Sequence, residues 1–174
     1  MNETPPVSQF LSAQKTPHRV FCHPGPVTSL EQAAQERGQQ PAQIVRSILF
    51  RLGQAAYAMV LVAGPGQIDW RALRRFVGQS RLTMASEAEV LQITGYPIGA
   101  VAPFGVPHPL RVLVDASVLA QSEVSIGSGV RGTTVILLVD DLLRALGNSE
   151  TGRFRLEETN QADATKGDNH DKAH

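Results

Sequence analysis

The sequence predicts a mixed α and β domain of the α+β kind, and three observations lead there. Capping residues and helix-stopping glycines bracket several short helices, and apolar, β-branched runs lie between them. The last of these runs also follow one another without intervening helices, which is not the order of a doubly wound parallel sheet. Length agrees with this: 174 residues suit one domain that buries about two thirds of its unfolded surface.

Each element has a local cause. Thr28 with Glu31 makes a capping box, Ala33 and Ala34 favour helix, and Gly38 stops it. Pro41 suits the first turn of a brief helix through Val45. Ser47–Leu52 and Ala55–Ala63 then read as two strands around a turn at Gly53. Asp69 caps a helix whose Trp70, Leu73, Phe76 and Val77 share one face, ending at Gly78. Ser86 with Glu89 opens another helix, to about Ile93. A loop from Gly95 to Gly105, broken by proline and glycine, follows. Strands are expected at Arg111–Val114, Glu123–Ile126 and Thr133–Leu138, and a helix at Asp140–Leu146 closes the domain at Gly147. From Ser149 to His174 the chain carries six acidic and four basic side chains and few large apolar ones, so residues 149–174 read as a disordered tail after a domain at 5–148.

Composition excludes several function classes. Sixteen basic and sixteen acidic residues cancel, so a general nucleic-acid coat is not expected, since non-specific phosphate binding needs excess positive charge. One cysteine, Cys22, allows neither an internal disulfide nor a thiolate metal cluster, and reads as a small buried residue. No apolar run of membrane-spanning length and no secretory signal pattern occur, which predicts a cytoplasmic protein without a membrane or DNA partner. The five histidines are scattered, so no metal and no cofactor is expected.

Gly127-Ser-Gly129-Val-Arg-Gly132 matches the dinucleotide pattern G-x-G-x-x-G, but that chemistry needs a helix N-terminus after the glycines. Here Thr133–Leu138 reads as strand, so the segment is a turn between strands. No G-x-S-x-G elbow exists, and nothing names a nucleophile. Arg71, Arg74 and Arg75 lie off the apolar face of their helix; a solvated surface and a phosphate-contact surface for a localised nucleic-acid partner both fit. Asp115 reads as a cap for the Ser117 segment.

Gly38-Gln-Gln-Pro41-Ala-Gln-Ile-Val-Arg-Ser-Ile-Leu-Phe-Arg51 and Gly95-Tyr-Pro-Ile-Gly99-Ala-Val-Ala-Pro103-Phe-Gly105 resemble the YbaK-type aminoacyl-tRNA deacylases, relatives of the editing domain inserted in bacterial prolyl-tRNA synthetases. The similarity runs from about Pro5 to Gly147 and takes in the Asp69 helix, Leu113-Val-Asp115 and the turn with Arg131 and Gly132. It implies a single domain with a mixed, partly barrel-like sheet flanked by short helices. It also implies a trans-acting, metal-free hydrolysis of the ester of misacylated tRNA. Its partners would be the acceptor end of aminoacyl-tRNA and, as a second candidate, an aminoacyl-tRNA synthetase.

By the same resemblance, Gly99, Ala100, Val101 and Pro103 match the family's G-x-x-x-P loop beside the ester, and Gly127, Ser128, Gly129 and Arg131 form the opposite wall. Arg46 stands where most members carry a lysine that anchors the terminal adenosine or its phosphate. Catalysis is therefore expected from Arg46 and Gly99, with Ser47 as a substrate hydrogen-bonding residue; a strand-start hydroxyl bonded to backbone is its other reading. An activated ester needs positioning and oxyanion stabilisation more than a nucleophilic side chain. The chain has no lysine between Thr16 and Thr165, so Arg46 fits a general replacement of lysine by arginine. It fits equally a weakened module that binds tRNA or a synthetase, because a planar fork differs from a compact ammonium. Val20 and Ser29 replace aromatic residues of the cysteine-specific members and Thr134 an acid, which predicts a different amino-acid pocket. Tyr96 and Phe104 could flank the adenine or plug the core.

Overall fold

Two eight-residue strands on either side of Gly53, rich in β-branched and other apolar residues, set the centre of the fold. In the computed structural model, which describes residues 3–157, Gly53 takes φ 64° and turns β2 (Val45–Leu52) back into β3 (Ala56–Ala63). They pair antiparallel from Val45↔Ala63 to Leu52↔Ala56. Alternation along both strands builds a core on each face of the sheet. Val45, Leu49, Met59 and Leu61 point to one side, and Phe50, Leu52, Val60 and Val62 to the other.

Three strands extend this hairpin into a five-stranded sheet. β4 (Leu82–Met84) pairs antiparallel with the end of β2, while β5 (Arg111–Asp115) runs parallel to β3. A second sheet is antiparallel, with β7 (Thr133–Leu138) between β1 (Arg19–Cys22) and β6 (Glu123–Gly127). The mixed α and β single domain expected from the sequence is present, its strands divided between two sheets that do not close into a barrel. Just after a 3-10 turn at Pro41–Gln43, pairing between the sheets is limited among the described residues to one parallel bridge, Ile44↔Ser125. The sheets diverge beyond that point.

Helices cover both faces. α2 (Leu30–Arg37) ends at Gly38 with φ 67°, as expected, but its N-cap is Ser29, whose side chain accepts from Gln32 N, and not Thr28. α3 (Trp70–Val77) is capped by Asp69 and stops at Gly78; its Leu73 seals the Phe50 side. α4 (Glu87–Thr94) keeps the Ser86–Glu89 capping box. α5 (Ala116–Leu119) starts where the Asp115 carboxylate accepts from Ser117 N, the capping role expected for that residue. α6 (Val139–Leu146) ends at Gly147. The proline-bearing N-terminal stretch forms α1 (Pro6–Ala13), which buries Val7 and Leu11 fully. Cys22 is exposed, not buried, because β1 is an edge strand.

The reading of 149–174 as tail also needs correction. Glu150–Gly152 forms β8, parallel to β5, and Arg111 clasps Glu150 with two hydrogen bonds of 2.7 and 3.0 Å. Phe154 is fully buried, edge-on to Phe76 at 4.9 Å. Asp115 accepts from the amides of Phe154 and Arg155. Backbone pairing on a free strand edge is indifferent to side-chain polarity, so one aromatic anchor suffices to dock a polar segment. The rest of that segment, 158–174, lies outside the described residues.

Candidate active site

The cavity lies where the two sheets part. Leu49 O accepts from Ala85 N at one end of β2's outer edge, and Ile44 bridges to Ser125 at the other. Between them the edge of β2 has no partner strand. By antiparallel alternation Ser47 turns its backbone groups to the same edge as Leu49. A cavity of about 340 Å³ fills the gap, lined by Ile44–Leu49, Met84, Ala85, Gly99, Val101, Ser125–Gly127, Thr133, Thr134 and Arg37, among others.

The Gly99–Val101 loop forms one wall. Gly99 holds φ 92°, a conformation that glycine adopts without a Cβ penalty. Among the described residues neither the Gly99 nor the Val101 amide meets an acceptor, whereas Ala100 N donates to Pro97 O. Two amides on a cavity-lining loop are therefore free to donate. Gly127 forms the facing wall in direct contact: a Cβ there would stand 2.7 Å from Ala100 C and O, and closer still to Val101 O. Ser47 Oγ is enclosed and has no hydrogen-bond partner among the described residues, so the reading that pairs it with backbone does not hold.

Several predicted residues lie behind this surface instead of on it. Ala100 is fully buried and its carbonyl accepts from Gly129 N, and Pro103 is buried too. Ser128 Oγ is spent on Val130 and Thr133, bracing the glycine turn. Gly129 packs on the Tyr96 ring, and Arg131 Nε donates to Ile98 O, tying the turn to the facing loop. Tyr96 and Phe104 are core plugs: Tyr96 donates to Phe104 O, and Phe104 stacks on Phe10.

Arg46 contributes to the lining, but its register partner is Val62, so its side chain belongs to the face opposite Ser47. Nε donates to Gly64 O at 2.9 Å and one terminal nitrogen to Gly66 O. Burial and then the neighbouring Arg155 guanidinium lower its pKa. Arg71, Arg74 and Arg75 sit on α3, also on the far face of the sheet, with Arg74 over the Trp70 ring. None of the three is among the residues that line the cavity.

The residue that sequence reasoning missed is Arg37. From the last turn of α2 it donates Nη1 to Ser125 Oγ at 2.8 Å and Nε to His23 Nε2 at 3.0 Å, while His23 Nδ1 meets Glu36. Burial lowers the Arg37 pKa, partly offset by Glu36; the His23 hydrogen bond holds Glu36 below the usual carboxylate range. His23, Arg37 and Ser125 come from separate parts of the chain, so no spacing pattern could reveal them. Among the described residues no group of three or more His, Cys, Asp or Glu could hold a metal ion. The glycine turn leads into β7, not a helix, as its sequence predicts.

A two-sheet α+β domain with two unbonded loop amides on a cavity whose other wall is a glycine segment is the class of structure these features define. The chain belongs to the aminoacyl-tRNA editing domain family, whose model matches residues 23–145. It is 28% identical over 150 residues to the Multifunctional Ser/Thr-tRNA deacylase ProXp-y of Escherichia coli (strain K12), covering 84% of this chain and 89% of that protein. It is 31% identical over 100 residues to a proline–tRNA ligase of Thermosipho melanesiensis, covering 58% of this chain and only 17% of the ligase. A solved structure described as a candidate trans-editing enzyme for prolyl tRNA synthetase superposes with TM-score 0.79 at 28% identity, over 87% of this chain and 96% of that one. Among the described residues no helix is long and apolar enough to cross a membrane.

Proposed function

We propose that this chain is a trans-acting aminoacyl-tRNA deacylase: water adds to the ester carbonyl, the bond to the terminal ribose oxygen breaks, and free amino acid and tRNA leave. The observation that carries this reading is the pair of free amides at Gly99 and Val101 beside the cavity, opposite Gly127. Two free N–H groups on the cavity wall can stabilise an oxyanion as charge develops on it. Among the described residues, those that line the cavity include no Cys, His, Asp or Glu, which suits an ester activated by its own neighbouring ribose hydroxyl. Ser47 then offers its unpartnered hydroxyl to the substrate or to the attacking water. Ala100, Pro103, Ser128, Gly129 and Arg131 hold the two walls in register. Arg46, whose side chain lies on the far face of the sheet, anchors the terminal nucleotide where it leaves the cavity past β2, through donors left over from Gly64 and Gly66.

The test is deacylation of a panel of mischarged tRNAs by the wild type, Arg46→Lys and Arg46→Ala. The wild type is expected to release one or two amino acids rapidly. Arg46→Ala should lose on the order of 10²-fold, the usual cost of removing one such donor. An unchanged rate takes Arg46 out of the mechanism, and an inert wild type that still binds aminoacyl-tRNA makes the chain a binding module.

The α3 arginines act, in this reading, on tRNA phosphates remote from the ester. Charge reversal at Arg74 and Arg75 is expected to raise KM for tRNA several-fold and to flatten its salt dependence, with kcat held within about twofold. If KM and its salt slope stay put, this helix face is only solvated.

A further inference from the structure

The cavity carries a cation that the proposed ester chemistry leaves unused. Arg37 is half-buried at the β6 wall, and two neutral acceptors, His23 Nε2 and Ser125 Oγ, hold it in place. His23 is 98% buried at its side chain, and accepting from Arg37 Nε fixes its proton on Nδ1, against Glu36. Ser125 is fully buried. The guanidinium is thus aimed by a chain of contacts from Glu36 through His23, and no carboxylate among the described residues lies in salt-bridge contact with it. Of its five N–H donors two are used, which leaves three for a ligand. A desolvated cation whose nearest carboxylate, Glu36, is held off by His23 favours an anion or a strong acceptor and disfavours a second cation.

We infer that Arg37 is a specificity-determining residue that reads an oxygen on the aminoacyl side chain. The cavity then prefers side chains bearing a hydroxyl or carboxylate, tolerates alanine poorly, and rejects lysine by charge. A site built to bond an oxygen discriminates against the analogue lacking it because its own polar group is left unpaired. The inference rests on the deacylase reading for the ligand's identity as an aminoacyl-adenosine, but not on turnover.

Binding without hydrolysis separates the two. Calorimetry on the full chain would use amide-linked 3′-aminoacylamino-3′-deoxyadenosines carrying alanine, serine, aspartate or lysine. For the wild type the serine and aspartate compounds are expected to bind about tenfold or more tighter than the alanine one, in line with a hydrogen bond to a charged group, and the lysine compound weakest. In Arg37→Leu the serine-to-alanine and aspartate-to-alanine ratios should fall to about one. Arg37→Lys should still reject lysine yet lose most of the preference, because an ammonium cannot reproduce the fork. Ser125→Ala, which frees the guanidinium, should lower the ratios in part, and with Arg37→Lys carries the test if Arg37→Leu does not fold. Equal wild-type affinities, unchanged ratios in the variants, an equal loss for all four compounds, or no binding of any of them would overturn the inference. A protein that shows the Arg37-dependent preference but releases no amino acid from tRNA would sink the deacylase reading alone.

Discussion

Gly127→Ala is expected to lower deacylation by about 10²-fold or more, the cost of displacing reacting groups by roughly 1 Å. A methyl group at this position meets backbone, not a side chain that can swing away: Ala100 C and O at 2.7 Å, and Val101 O nearer still. Real Cβ atoms do not approach that closely, so either the strand end or the Gly99–Val101 loop must move. The loop is tied to the glycine turn through two contacts, Gly129 N on Ala100 O and Arg131 on Ile98 O. Its displacement carries the free Gly99 and Val101 amides away from the ester. The measurement is kcat/KM on the tRNA that the wild type deacylates best, with far-ultraviolet circular dichroism to confirm that both sheets persist. A variant that folds and turns over at the wild-type rate would remove the loop–strand contact from the mechanism.

Phe154→Ala should destabilise the fold by about 3–5 kcal/mol, the usual cost of truncating a buried phenylalanine. For a chain of this size that corresponds to a fall in Tm on the order of 10 °C. Phe154 has no exposed surface, packs edge-on against Phe76, and joins the cluster of Phe50, Leu73 and Val62 beneath α3. Its loss would also loosen β8 and the contacts Asp115 makes with the Phe154 and Arg155 amides. Thermal unfolding of Phe154→Ala beside a chain ending after residue 157 checks this. The truncation should be nearly neutral, since it leaves β8 and the aromatic anchor in place. A Phe154→Ala midpoint within 2 °C of the wild type would mean that the segment does not carry core stability.

These two residues also mark what could be read from the chain. The hairpin β2–β3, helices α3 and α4, and the turn at 127–132 were legible because their causes are local. A cap, a stopping glycine or an alternating run acts within a few residues, whatever the rest of the chain does. Glu150–Phe154 was not legible, because its composition is that of a solvated tail and its partner edge lies in β5, far along the chain. β1 and β4 were missed for a similar reason: at four and three residues they are too short to show a period, and pairing makes them strands.

The site divides in the same way. The amino-acid sequence by itself determined the α+β class, most helix ends and, through resemblance, the glycine loop at Gly99 and the turn at Gly127. Only the tertiary structure decided which of those residues face the cavity. It turned Arg46 towards the carbonyls of Gly64 and Gly66, put Ser128 and Arg131 to bracing work, and brought Arg37 to Ser125 across 88 positions of sequence. The physical reason is reach: capping and alternation operate over one turn or one pleat, whereas a cavity forms where separate sheets diverge, and its lining is chosen by packing.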